Sequence, residues 1–183
     1  MRTRRIHVTG ASGAGVTTLG RAVAATLALP HHDVDDYFWL PTDPPYREKR
    51  PPADRLRLMR EVFLGRPGWT LSGALEGWGD ELAPLFDLVV YVSAPTDLRL
   101  DRLRQREATH FGATAIAPGG WRHGEYETFV AWAARYDEAG ADVRSRLRHE
   151  SWLGEIGRPV LWVDGRRPPA DLAQEVRAYF SSP

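Results

Sequence analysis

Residues Gly10-Ala11-Ser12-Gly13-Ala14-Gly15-Val16-Thr17-Thr18 match the pattern G-x-x-x-x-G-K-[ST] at every fixed position except Val16, where the lysine belongs. The short apolar run Ile6-His7-Val8-Thr9 precedes them, and an amphipathic stretch from Thr17 to Leu29, closed by Pro30, follows. Strand, glycine-rich turn and helix start are what a polyphosphate site requires. Glycines let the backbone wrap closely, and the amides of the first helical turn face an anion, aided by the helix dipole. The backbone and side chains of Gly10, Ser12, Gly13, Ala14, Gly15, Val16, Thr17 and Thr18 are the expected phosphate cradle. Thr17 occupies the position whose hydroxyl ligates Mg²⁺ in such loops, and Thr18 adds a phosphate contact. The alternative is an ordinary strand-to-helix turn of small residues. Val16 weighs against transfer more than against binding, because the backbone donors remain while the cation that offsets developing charge does not. Lys49, the only lysine of the chain, and Arg50 are candidates to supply that charge, or are solvated loop residues.

Outward from this loop, short apolar runs alternate with longer helical patterns, which predicts βαβ units and a mostly parallel sheet. His31-His32-Asp33 is a short second strand. Leu40 to Pro52, with five prolines, is an irregular loop, and Ala53 to Leu64 is helical. Trp69-Thr70-Leu71-Ser72 is a third strand closed by Gly73. Leu88-Val89-Val90-Tyr91-Val92 is an unbroken apolar run suited to a sheet centre. Pro95 opens a helix to about Thr109, and Phe111 to Gly124 is glycine-rich and irregular. Glu125 to Leu153 is mostly helical with a break near Gly140. Val160-Leu161-Trp162-Val163 is the last strand, and Pro168 opens a final helix.

The 183 residues suffice for one α/β domain, 1–183, with a single core. Formal net charge is zero and cysteine is absent. That balance argues against nucleic acid or an acidic membrane as partner, and it excludes disulfides, cysteine metal sites and thiol nucleophiles. The basic start Met1-Arg2-Thr3-Arg4-Arg5 precedes too short an apolar run for a signal peptide, so a cytoplasmic protein, monomeric or homodimeric, is expected.

Asp33-Val34-Asp35-Asp36-Tyr37-Phe38-Trp39 is the second informative segment. In extended backbone, Asp33 and Asp35 project to one side, at the carboxyl end of a strand where open α/β sheets bind ligands. One carboxylate holds a Mg²⁺-bound water while the other orients or deprotonates an acceptor hydroxyl. Alternatively, the acids only cap a following helix. Arg99, Arg102 and Arg106 fall at i, i+3 and i+7 on one helix face. They face phosphate, or are a solvated face paired with Asp97, Asp101 and Glu107. Trp39, Trp78 and Trp121 lie in segments near the open end of the sheet, as an aromatic wall for a planar acceptor or as loop packing.

These motifs resemble the P-loop kinase superfamily that contains adenylate kinase, shikimate kinase and uridine kinase. Asp33-Val34-Asp35 resembles the D-x-D of shikimate kinase, Asp35-Asp36-Tyr37-Phe38 the D-S-F-Y of uridine kinase, and Arg102 to Arg106 the R-x-x-x-R of nucleotide kinases. The resemblance implies a three-layer α/β/α fold. Its five-stranded parallel sheet would run in the order 2-3-1-4-5, with a small helical lid at 110–124. It implies ATP with Mg²⁺ and a nucleotide or other small-molecule acceptor, in an adenylate kinase-like phosphotransferase. It gives Asp35, Asp33 and Arg106 catalytic roles, Arg102 and Gly165 contacts on the nucleotide, and Thr17 and Asp33 the metal. A nucleotide-binding regulatory protein with little or no transfer is the alternative.

Overall fold

A computed structural model of the protein describes residues 3–181; Met1 and Arg2 of the basic start lie outside the described residues. Five strands, β1 (Arg4–Gly10), β2 (His31–Asp33), β3 (Gly68–Ser72), β4 (Leu88–Ser93) and β5 (Val160–Asp164), form one parallel sheet in the order β2-β3-β1-β4-β5. This is the expected order.

β4 shows why the sheet has helices on both faces. Its side chains alternate with the period of two: Leu88, Val90 and Val92 enter one core, Val89 and Tyr91 the other. The first core is closed by α1 (Val16–Leu27) and α8 (Pro169–Tyr179), which contribute Leu19, Val23, Leu172 and Val176. The second is closed by α3 (Pro52–Met59), which widens into a π-helical turn over Arg60–Leu64, and by α7 (Arg146–Glu155). Met59, Phe63, Trp69 and Phe86 meet there. The remaining helices are α2 (Val34–Phe38), α4 (Thr96–Phe111), α5 (Ala113–Ile116) and α6 (His123–Ala134).

Three boundaries differ from the sequence expectation for identifiable reasons. Helix α1 ends at Leu27 rather than at Leu29. Ala28 takes the left-handed conformation at φ 54°, and the Leu29 amide returns to the Ala24 carbonyl at 2.9 Å. That closes the helix by a backbone cap before proline is reached. The 110–124 segment is not wholly irregular, since α5 lies inside it between Gly112 and a turn at Gly119. Helix α6 begins at His123, two residues before Glu125, and the chain from 138 to 145 separates it and a short 3-10 turn from α7.

Candidate active site at the carboxyl ends of β1, β2 and β3

The loop after β1 is built for close approach. Gly13 and Gly15 sit at φ 81° and 102°, which a side chain disfavours. A Cβ on Gly13 would strike the backbone of Arg99 in α4. Gly15 caps α1 without any side-chain hydrogen bond, so the first-turn amides are left to an outside acceptor. Val16, the first residue of α1, turns its side chain onto the first core.

Thr17 and Asp33 come together, with the Thr17 Oγ1 donating to Asp33 Oδ2 at 2.8 Å. The other oxygen of Asp33 accepts from the Asp35 amide at 3.1 Å and caps α2. The capping reading of this acid is what the structure shows, and Asp35 lies in α2 rather than in the extended backbone expected, because the chain turns helical directly after Asp33. Asp35 stands two residues on. Water reaches it, yet the surrounding protein partly desolvates it. That desolvation, and then the charge of Asp33, pushes its carboxyl above the usual range; Arg144, Arg106 and the Trp39 side chain pull the other way. Asp36 is raised in the same manner, first by desolvation and then by Asp33.

The three arginines of α4 have separate surroundings. Arg99 is fully buried and structural: it pairs with Asp137 at 2.7 Å and donates to the Ala94 and Ala133 carbonyls. Arg102 bridges two loops, with Nη1 on the Ala14 carbonyl at 3.2 Å and Nη2 on the Gly165 carbonyl at 2.9 Å. Arg106 is exposed, pairs with Glu107 at 3.3 Å and lies over Phe129. Gly165 is buried, and its own packing accounts for the missing side chain. A Cβ there would lie 2.5 Å from the Ala14 carbonyl oxygen and 3.2 Å from that of Ser93. The phosphate loop itself occupies that space.

Lys49 and Arg50 are engaged elsewhere. Lys49 lies 5.8 Å from the Phe38 ring centre and 6.0 Å from that of Trp39. Arg50 donates to the Tyr37 and Trp39 carbonyls. Trp39 and Trp78 both pack on Phe38, whereas Trp121 lies apart against Phe111. His31 binds Ser72 and His32 stacks on Phe63 at 4.0 Å, so both pack rather than ligate.

Three residues had no motif to announce them. Arg55, buried in α3, holds its guanidinium 3.8 Å from the Phe38 ring centre, with no carboxylate partner among the described residues. Glu76, after β3, is a nearly buried acid whose Oε2 has no hydrogen-bond partner among the described residues. Arg144, just before α7, donates from Nη2 to the Gly10 carbonyl at 2.8 Å and faces Glu76 at 3.4 Å. Sequence distance hid all three, since 134 positions separate Gly10 from Arg144.

The residues present suit a magnesium-bound polyphosphate. Among the described residues no group of three or more His, Asp or Glu side chains forms an all-protein metal cage. Mg²⁺ needs none, because it keeps several waters and takes one or two protein oxygens plus phosphate. No described helix is long and apolar enough to cross a membrane.

Sheet order, glycine loop and the helix it opens define a P-loop kinase fold. No family model matches the chain. It is 40% identical over 179 residues to the uncharacterized protein YqaC of Bacillus subtilis (strain 168), covering 98% of each, and it belongs to that protein's family. Among solved structures it is similar to shikimate kinase from Acinetobacter baumannii in complex with shikimate, with TM-score 0.56, 16% identity, and 97% of this chain and 93% of that one covered. Shikimate kinase from Bacteroides thetaiotaomicron gives 0.54 and 19%, over 98% and 99%. A gluconokinase from Sinorhizobium meliloti 1021 gives 0.53 and 16%, over 100% and 99%. At such identities the likeness is one of fold.

Proposed function

We propose that the protein is an ATP-dependent phosphotransferase acting on a small hydroxyl- or phosphate-bearing acceptor. The observation that carries this reading is the Thr17–Asp33 contact at the mouth of an uncapped glycine loop, with Asp35 beside it. The amides of the loop from Ser12 to Thr18, Val16 among them, hold the phosphates, except that of Ala14, which donates to the Ala11 carbonyl at 3.1 Å. Thr17 and Asp33 hold the Mg²⁺ or its waters, and the ion offsets phosphate charge when bound. Asp35 orients the acceptor. With a hydroxyl acceptor, its oxygen bonds to the γ-phosphorus as the bond from that phosphorus to ADP breaks, and the hydroxyl proton passes to Asp35. A raised carboxyl pKa makes Asp35 a better base than a solvated one. On closure of 110–124 over the nucleotide, Arg106 exchanges Glu107 for phosphate charge, while Arg102 holds the loop in place through the Ala14 and Gly165 carbonyls. The names of the shikimate kinase and gluconokinase neighbours favour a hydroxyl acceptor over an adenylate kinase-like one.

Val16 favours a second reading, a nucleotide-binding regulatory protein with little or no transfer. ADP release from Mg-ATP, measured against a panel of nucleosides, nucleotides, sugars and hydroxy acids, separates the two. Acceptor-dependent ADP that disappears in Asp35→Ala supports the phosphotransferase. Tight Mg-ATP binding without turnover on any acceptor supports the regulator, and absence of nucleotide binding defeats both.

A further inference from the structure

Val16 removes from the loop a cation that its motif otherwise places beside the terminal phosphates. Arg102, Arg106 and Arg144 bring guanidinium groups to the loop or to the acids beside it. Arg102 is committed to the carbonyls of Ala14 and Gly165, and Arg106 pairs with Glu107 on an exposed helix face. Arg144 combines the two settings, since it bonds a loop carbonyl and faces an acid, Glu76, at 3.4 Å. Its Nη2 lies 2.8 Å from the Gly10 carbonyl oxygen. The Val16 Cγ2 in turn lies 3.3 Å from where a Cβ on Gly10 would stand. Arg144 and Val16 thus both adjoin Gly10, the first glycine of the loop, which brings a guanidinium to the loop that lacks its lysine.

The arginine has donors to spare. Its Nε faces Glu76 Oε1 at 3.4 Å without forming a hydrogen bond, and Oε2 of that acid has no hydrogen-bond partner among the described residues. A guanidinium offers five N–H donors in a planar fork that matches phosphate oxygens. The backbone behind it is fixed. Ser145 is buried and caps α7, accepting from the Arg148 amide at 3.1 Å. One turn on, the His149 Nε2 meets Thr9 Oγ1 at 2.8 Å inside the core. Successive residues of β1, Thr9 and Gly10, are therefore held by His149 and Arg144, which fixes the start of α7 against the loop.

We propose that Arg144 replaces the missing lysine and binds the terminal phosphates of a nucleoside triphosphate. This rests on the proposed reading of the loop as a Mg-triphosphate site. It also gives that reading a cation from a part of the chain the motif does not include.

Calorimetric titration with Mg-ATP and Mg-ADP tests it on the wild type, Arg144→Ala, Val16→Lys and the double variant. Arg144→Ala is expected to weaken Mg-ATP on the order of tenfold or more, as loss of a charged hydrogen bond does, and to weaken Mg-ADP less. Val16→Lys should restore Mg-ATP affinity in the Arg144→Ala background and add less to the wild type. A purely architectural arginine would not be rescued by a lysine at position 16. Should Arg144→Ala fail to fold, Arg144→Gln is read in the same way, because it keeps an N–H donor for the Gly10 carbonyl without the charge. Wild-type affinity in the neutral variants overturns the proposal, and so does a loss that Val16→Lys leaves unrepaired. A wild type that binds no Mg-triphosphate defeats the functional reading itself.

Discussion

The Thr17 hydroxyl donates to Asp33 at 2.8 Å, and the second oxygen of that acid caps the next helix at the Asp35 amide. One carboxylate thus ties the phosphate loop to the segment carrying the candidate base. Its two jobs separate by mutation. Asn caps a helix about as well as Asp, whereas Ala in place of a capping side chain costs about 1 kcal/mol. Asp33→Asn should therefore melt near the wild type yet lose Mg²⁺-dependent strengthening of ATP binding. Asp33→Ala should lose both. Thermal melts and titrations with and without Mg²⁺ decide, and an Asn variant with intact Mg²⁺ dependence would remove Asp33 from the metal site.

Desolvation, and then the charge of Asp33, disfavours the charged form of Asp35. Its folded pKa lies above its unfolded one, so its charge costs stability at high pH and costs nothing below the unfolded value. Asp35→Asn should raise the melting temperature at pH 7. The gain should shrink as pH falls through the folded pKa toward the usual carboxylate range. The same variant should abolish acceptor-dependent ADP release. A variant that is both less stable at pH 7 and fully active would contradict the site as described.

Much of this was legible in local sequence. The alternating faces of Leu88 to Val92 and the glycine spacing from Gly10 to Gly15 are properties of adjacent residues, and strand and loop follow from them. The Asp33 and Asp35 pair was visible for the same reason. Arg144, Glu76 and Arg55 were not, because each acquires its setting through chain reversals tens of residues long. Gly165 shows a subtler limit. Its smallness was evident, but the atom it makes room for, the Ala14 carbonyl, belongs to a loop remote in sequence. The helical patterning of the 110–124 segment was weak because α5 is only four residues long.

His7 and His149 are fully buried, and burial above all lowers both to about 3. The unfolded chain takes up protons below about 6.5 that the folded one refuses until about pH 3. The stability they confer is complete above that upper value and is lost as pH falls through the window, at about 1.4 kcal/mol per pH unit for each. His31 and His32 are lowered too and add to the slope. Urea midpoints between pH 7 and 5 should fall steeply. His149→Gln should lower stability at pH 7 through its lost bonds to Thr9 and Tyr136, and flatten the slope by about one proton. An unchanged slope would place the proton uptake elsewhere.

Gly165→Ala tests whether the loop between β5 and α8 is a wall of the phosphate site. The added methyl would lie 2.5 Å from the Ala14 carbonyl oxygen, with Val92 Cγ1 at 3.0 Å and the Ser93 carbonyl oxygen at 3.2 Å. Two of those three neighbours are backbone, so rotamer change cannot relieve the contact. Either the phosphate loop or the β5–α8 turn must move, and Arg102 holds the two together through Ala14 and Gly165. Moving backbone to admit a methyl costs about 1–3 kcal/mol in well-packed sites. The variant should therefore melt lower and bind Mg-ATP more weakly, because the displaced segment carries the phosphate amides. Arg102→Ala removes the bridge without the clash. It should weaken Mg-ATP binding with a smaller loss of stability than Gly165→Ala. Were Gly165→Ala to bind Mg-ATP as the wild type does, the phosphate loop would not depend on this packing, and Gly165 would be left with a role in folding alone.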